Sequence, residues 1–290
     1  MLAVTGSTGE LGGRVARGLA ATGVPQLLVV RDPSRAPELE GAEVRVASSY
    51  GDRDGMAAAL DGAETLYFVS GEEARDRLDQ HRAVVDAAAA AGVERIVYTS
   101  FVGAGPDSVF TLARHHHATE EAVRERGLRF TFLRSGMYLD FMPFFAGPQG
   151  VIRGPAGEGR FAPVARDDLA DAAVAVLRSA GEHDGRTYEL TGPELLTLAE
   201  VAARLGTFTG REIAFVDESE EEAWASRRAT GAPDWEIEGW VTSYQAIAAG
   251  ELDVLTDHAE RLAGHPPQRL EDLLRAHPEA LEHLGASSRD

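Results

Sequence analysis

Residues 2–13 read Leu2-Ala3-Val4-Thr5-Gly6-Ser7-Thr8-Gly9-Glu10-Leu11-Gly12-Gly13. A short apolar run leads into glycines at 6, 9 and 12, and a helical pattern follows. At such a strand-to-helix turn each glycine has its own task. Gly6 lets the backbone reverse sharply, Gly9 lets a phosphate approach the main chain, and Gly12 lets the helix pack close to the strand. The first free N–H groups of the helix, with the positive end of its dipole, then face the bound anion. A tight turn without any ligand can carry the same glycines, so the surrounding chain decides the reading.

Composition narrows the choices. At 290 residues, 44% hydrophobic and 26% charged, the chain has ample length for one large domain with an appended smaller part. No stretch reaches the roughly 18 uninterrupted apolar residues that a membrane span requires. The N-terminus runs straight into a strand without a charged leader, so no signal peptide is expected. Cysteine is absent. Disulfides, thiolate metal sites and a cysteine nucleophile are therefore excluded, and a cytoplasmic location is expected. A net charge of −19 repels nucleic acid, so direct DNA binding is not expected. Lysine and asparagine are absent as well, and all 28 Lys-plus-Arg positions are arginine.

From the loop outward, Leu11, Val15 and Leu19 recur at helical spacing, and the helix should close at Thr22-Gly23. Residues 26–30 (QLLVV) form a continuous apolar run, as in a strand buried on both faces of a parallel sheet. Further strands are predicted at 43–47, 65–69, 96–100, 129–133 and 187–190. Helices fall between them at 56–60, 74–91 and from an Asp107-Ser108 cap to about Gly127. Alternating strands and helices predict a doubly wound α/β sheet of Rossmann type with right-handed crossovers. Residues 1–192 are assigned to it, with 136–161 as a substrate-facing insertion, aromatic and then loose. Residues 193–290 are assigned to a smaller, mostly helical C-terminal part. There, Thr197–Glu200 and Ser219–Glu222 are capping boxes, 213–216 is a strand, and prolines punctuate short helices.

The ordered motifs carry a resemblance. T-G-x-T-G-x-L-G at 5–12, V-R-D-P-S-R at 30–35, Y-T-S at 98–100, H-x-x-x-E at 116–120, T-F-L-R-S-G-M-Y at 131–138 and G-H-P-P-Q-R-L-E-D-L at 264–273 all match one group. The chain resembles the NmrA-like, atypical short-chain dehydrogenase/reductases, most nearly the quinone-oxidoreductase type. The resemblance spans nearly the whole chain. It implies a Rossmann fold binding NAD(P), with substrate held between the sheet's carboxyl edge and the C-terminal part.

Candidate residues follow from both readings. Gly6, Ser7, Thr8, Gly9, Glu10 and Leu11 should line the phosphate cradle. Arg31 stands where NAD-preferring sheets place a carboxylate for the ribose hydroxyls, and Arg35 follows. Guanidinium there suits a 2′-phosphate, so NADP is expected, with NAD as the alternative. Ser49 departs from the acidic residue that the family often carries near the adenine. Ser70 and Gly71, at the end of their strand, should pass beside the cofactor. Ser135, Gly136 and Met137 are the position where related chains hold the nicotinamide carboxamide. Tyr138, Phe141, Phe144 and Phe145 read either as core or as an apolar wall for a flat substrate.

Catalysis turns on the missing lysine. The Tyr-x-x-x-Lys dyad of typical short-chain dehydrogenases is excluded, and the resemblance puts His116 and Glu120 in its place, one helical turn apart. His116 is a candidate proton or hydrogen-bond donor, or else a core histidine. His115 and His117 diverge from it by about 100° each, so the triplet is no metal site, and none is expected elsewhere. Ser100 and Tyr138 are further candidate donors to a nascent oxygen. The expected activity is hydride transfer from NADPH to a quinone or similar conjugated carbonyl. The alternative is a cofactor-sensing regulator acting through a protein partner. A homodimer is left open.

Overall fold

The computed structural model describes residues 1–285. The strands are β1 (Leu2–Thr5), β2 (Gln26–Val30), β3 (Ala42–Val46), β4 (Thr65–Phe68), β5 (Arg95–Phe101), β6 (Arg129–Ser135), β7 (Val151–Gly154), β8 (Arg186–Leu190) and β9 (Ala214–Asp217). The helices are α1 (Glu10–Ala21), α2 (Arg53–Ala59), α3 (Arg77–Ala90), α4 (Thr111–Glu125), α5 (Met142–Phe145), α6 (Arg166–Arg178), α7 (Leu198–Thr209), α8 (Glu220–Arg228), α9 (Asp234–Ala248), α10 (His258–Ala263) and α11 (Leu270–Ala276). Seven strands form one parallel sheet in the order β3-β2-β1-β4-β5-β6-β8. This is the doubly wound architecture expected from the alternating pattern. The order reverses between β1 and β4, and a crevice opens there at the carboxyl ends.

The continuous apolar runs follow from burial on both faces: β1, β2 and β4 are buried throughout. One face packs α1 and α6 through Val15, Leu19, Leu169, Ala173 and Val176. The other packs α2, α3 and α4 through Met56, Val84, Val85 and Val123. A third core joins Leu139, Met142, Ile152 and Phe161 of the 136–161 segment to Leu198, Val201 and Leu205 of α7 and to Leu270, Leu273 and Leu284. The segment thus packs with the C-terminal part, while Ala259 of α10 returns to the α1–α6 face of the main sheet.

Several local readings differ from the structure. Asp107 and Ser108 do not cap α4, which begins at Thr111 behind Phe110, while the Ser108 hydroxyl donates to the Gly103 carbonyl. The loose stretch after Gly147 contains β7, which exists by pairing in parallel with β9, Val151 opposite Ala214. Helix α7 runs past Leu205 to Thr209 and stops at Gly210, which takes the left-handed conformation. Gly206 lies inside it because a Cβ there would come within 3.0 Å of the Arg211 carbonyl as the chain turns back. α9, with 15 residues, is one long helix, not several short ones. Both capping boxes are present, at Thr197/Glu200 and Ser219/Glu222, so the acidic run 217–222 opens a helix. Among the described residues no helix is long and apolar enough to cross a membrane.

Candidate active site

The glycine loop has the geometry its sequence requires. Gly6 sits at φ +66°, and a Cβ there would press on Val69 at 3.0 Å. A Cβ on Gly12 would lie 2.3 Å from the Gly6 carbonyl oxygen, so α1 can dock on the turn only without one. Gly9 occupies the cap position of α1 in extended backbone, and no side chain caps the helix. The Ser7 hydroxyl is buried and has no hydrogen-bond partner among the described residues. Uncapped N–H groups, close backbone approach and a spare hydroxyl together fit a bound pyrophosphate.

From this loop a cleft of about 350 Å³ runs across the carboxyl ends of β1, β2 and β4. Gly6, Thr8, Gly9, Glu10, Leu11, Arg31, Ser49, Ser70 and Gly71 line it, together with Tyr50, Met56, Val69, Glu72, Glu73 and Gln80. At one end the Tyr50 hydroxyl donates to the Val69 carbonyl at 2.8 Å. Burial pushes this phenol up to about 12. Asp52 caps α2 by accepting from the Gly55 N–H at 2.9 Å and from Ser48, so Ser49 and Tyr50 take the place of an acidic residue there. Asp32 is likewise committed locally: it accepts from the Ser34 N–H at 2.9 Å and hydroxyl at 2.7 Å, capping the start of the turn that carries Arg35. Arg31 is exposed, and its nearest acid is Glu72 across the cleft at 3.9 Å. Exposed pairs of this kind contribute about 0–1 kcal/mol, so an incoming phosphate can displace it.

His116 and Ser100 lie elsewhere than a free donor would. His116 is 7% exposed, and both ring nitrogens are engaged: Arg77 Nη2 lies 3.0 Å from Nε2, and the Tyr98 hydroxyl 2.9 Å from Nδ1. Burial, with Arg77 beside it, holds its pKa well below the usual imidazole range. This arrangement fits the alternative of a core histidine with its hydrogen bonds satisfied. The Ser100 hydroxyl is buried and donates to Glu120 Oε1 at 2.6 Å. Glu120 is fully buried and receives two bonds from Arg134, at 2.8 and 2.7 Å. Arg134 reaches on to Glu189 at 3.2 Å. That ion network takes up the Ser100 hydroxyl proton. The H-x-x-x-E pair does share one helix face, as its spacing demands, but each member serves a different buried network.

The residues after β6 also divide. The Ser135 hydroxyl donates to the Ser100 carbonyl at 3.3 Å, and a Cβ on Gly136 would meet the Ala162 carbonyl at 2.7 Å. Gly136 and Met137 border a separate small cavity with Val102, Phe161 and Leu252. Tyr138 and Phe141 pack with ring centroids 5.7 Å apart and planes tilted by 43°, with the Arg166 guanidinium over both rings at 4.7 and 4.3 Å. Burial raises the Tyr138 phenol, against the pull of Arg166. Phe144 stacks on His283, and Phe145 packs against Tyr244 in the C-terminal core. The expected single aromatic wall is corrected to one pair, Tyr138 with Phe141.

Residues 6–180 match the NAD(P)H-binding family. The chain belongs to that family. Quinone oxidoreductase 2 of Escherichia coli is 37% identical over 278 residues, covering 93% of this chain and 96% of its own. The crystal structure of the E. coli NADPH-dependent quinone oxidoreductase with NADPH superposes with TM-score 0.86 at 35% identity, covering 98% of this chain and all of that one. The Citrobacter triphenylmethane reductase, solved with NADP(H), gives TM-score 0.82 at 32% identity, covering 98% and 100%. The negative transcriptional regulator NmrA, at 18% identity and TM-score 0.76, shares the fold. Both of the reductases, each above 30% identity along nearly the full chain, thus bind NADPH or NADP(H) in their crystals.

Tyr50, Gln80, Arg77 and His81 stand in the site without any motif to announce them. The last two sit on the alanine-rich α3, where an arginine and a histidine among alanines are the available signal. Arg77 is 3% exposed, its Nε donates to the Gly71 carbonyl at 3.0 Å, and its Nη1 has no partner among the described residues. His81 Nε2 receives the Gly71 N–H at 2.9 Å.

Proposed function

We propose that the protein is an NADPH-dependent reductase that moves hydride to a quinone or a similar conjugated carbonyl. The observation that carries the cofactor choice is Arg31. It follows β2 with only the exposed Glu72 across the cleft to pair with it, because Asp32 is turned into its own helical turn. The Gly6–Leu11 backbone and the Ser7 hydroxyl hold the pyrophosphate, Arg31 and Arg35 hold the 2′-phosphate, and Ser49 and Tyr50 flank the adenine. Ser70 and Gly71 bound the cleft through their backbone, and Ser135, Gly136 and Met137 support the nicotinamide end. Bound NADPH supplies the hydride.

The chain's own contribution to the chemistry is orientation and a neutral donor. Burial keeps the Tyr138 phenol protonated at neutral pH, so it offers a hydrogen bond to a nascent oxygen. With Phe141 and Arg166 it presents an aromatic and cationic surface beside that donor. No lysine is present to activate a phenol as a strong acid. A quinone or enone needs none, because the product anion is stabilised by conjugation. The chain's relatives named as quinone oxidoreductase and triphenylmethane reductase act on conjugated acceptors, which supports the same class. The test is NADPH oxidation across a panel of quinones and enones, after nucleotide binding has been measured. Turnover above background with quinones supports the reading. Micromolar NADPH binding without turnover would favour the cofactor-sensing alternative instead.

A further inference from the structure

Two buried imidazoles meet the cofactor cleft through a single residue, Gly71, and the two peptide groups that flank it. Gly71 lines the cleft, and both of its backbone polar groups are held from α3. Its N–H donates to His81 Nε2 at 2.9 Å, and its carbonyl accepts from Arg77 Nε at 3.0 Å. Arg77 is in turn fixed from α4, where His116 Nε2 accepts from Nη2 at 3.0 Å. Neither donor has a choice. A backbone N–H and a guanidinium can only donate, so both Nε2 atoms must be unprotonated acceptors, and each neutral ring carries its proton on Nδ1.

The partners on the other side agree with these tautomers. The Thr119 hydroxyl donates to the His115 carbonyl at 2.8 Å, leaving its lone pairs to accept from His81 Nδ1 at 2.9 Å. The Tyr98 oxygen accepts from His116 Nδ1 at 2.9 Å and lies 3.4 Å from His81 Nδ1, joining the two rings. The backbone at Gly71 lies close against these groups, since a Cβ there would sit 3.3 Å from both His81 Nε2 and the Tyr50 ring. Burial lowers the pKa of both imidazoles well below the ordinary value, in keeping with neutral rings.

We propose that His81 and His116 are positioning residues for the nucleotide: His81 directly, and His116 through Arg77, fix the two peptide groups on either side of Gly71, against which the cofactor packs. The proposal rests on the assignment of the cleft to NADP(H). It gives His116 a place in the reaction without touching substrate.

Substitutions that move the acceptor along the side chain test it. Glutamine places its amide oxygen near the position of Nε2, where it can accept, and asparagine places its amide N–H near Nδ1, where it can donate. His81→Gln therefore keeps the bond to Gly71, whereas His81→Asn keeps only the Thr119 side. The same contrast at His116 keeps or removes the bond to Arg77. NADP⁺ affinity is measured by calorimetry at pH 7.5 on protein whose fold is checked by circular dichroism. Expected are Gln variants within about threefold of the parent and Asn variants weaker by roughly tenfold, the scale of one missing hydrogen bond to the backbone. In steady state the Asn variants should raise KM for NADPH more than they lower kcat. Imidazole ¹⁵N shifts of the parent protein, which need no variant, should show Nδ1–H tautomers at both rings. Folded Asn variants that bind as tightly as their Gln counterparts, or Nε2–H tautomers, would overturn the proposal. A parent protein that binds no NADP⁺ would instead overturn the assignment of the cleft, and the two failures are distinct.

Discussion

Replacing Glu120 with glutamine separates a structural from a catalytic role for the Ser100–Glu120 pair. The substitution preserves shape and leaves an oxygen to accept from the Ser100 hydroxyl. It removes the charge that receives two bonds from Arg134 inside a fully buried site. Deleting one partner of a buried ion pair costs about 3–5 kcal/mol, because the other charge stays desolvated. Here Arg134 keeps Glu189 at 3.2 Å and is itself about one-fifth exposed. The expected loss is therefore somewhat below that range, about 2–3 kcal/mol. For a chain of this size each kcal/mol shifts Tm by about 2–4 °C, so the melt should fall by about 5–10 °C. The assay is a thermal melt paired with turnover at a temperature where both proteins are fully folded. The folded variant should retain turnover within about threefold. An unchanged Tm with turnover reduced by tenfold or more would refute the structural assignment and return Ser100 and Glu120 to the chemistry.

Other expectations follow from the same structure. Arg31→Glu should weaken NADPH by roughly a hundredfold and NADH by less than threefold, since a charge-assisted bond is removed and a repulsion added; binding titrations with both nucleotides read it. Gly12→Ala should lower both Tm and NADPH affinity, because its Cβ would meet the Gly6 carbonyl at 2.3 Å and force the loop from the helix. Asp168 is raised to about 6 by burial, while its bond from the Gln268 N–H and the nearby His265 oppose this. Its folded-state pKa thus exceeds the unfolded one near 3.9. Between those values the native state binds the extra proton, so this contribution to stability is full below about pH 4 and is lost as pH rises through 6. Asp168→Asn should remove that dependence, which paired melts at pH 4.5 and 7.5 would show as a change in the difference between the two proteins.

What the sequence makes legible is set by local backbone chemistry. Gly6 and Gly12 can be read because a phosphate loop places demands on φ and on Cβ volume that few residues meet. Arg31 can be placed because it follows an apolar run long enough to be a strand, and Ser49 because it follows the short β-branched stretch at 43–47; strands of a parallel sheet end at the cleft. Strand β7 stays hidden because four residues among glycines and prolines carry no pattern of their own, and only pairing with β9 makes them a strand. Ser100 defeats a sequence reading for a related reason. Its position at a strand end is a local fact, but its partner Glu120 comes from another helix and Arg134 from the next strand. His81 and Arg77 are silent in the sequence because their meaning lies in Gly71, Thr119 and His116, which they reach only when α3, α4 and β4 come together.

Stopped-flow mixing of the preformed protein–NADPH complex with a quinone, followed at the nicotinamide absorbance, addresses the central claim most directly. The account predicts a single decay whose rate saturates with quinone concentration and depends on the protein. Absorbance that falls no faster than for free NADPH with the same quinone, at saturating nucleotide occupancy, would contradict it.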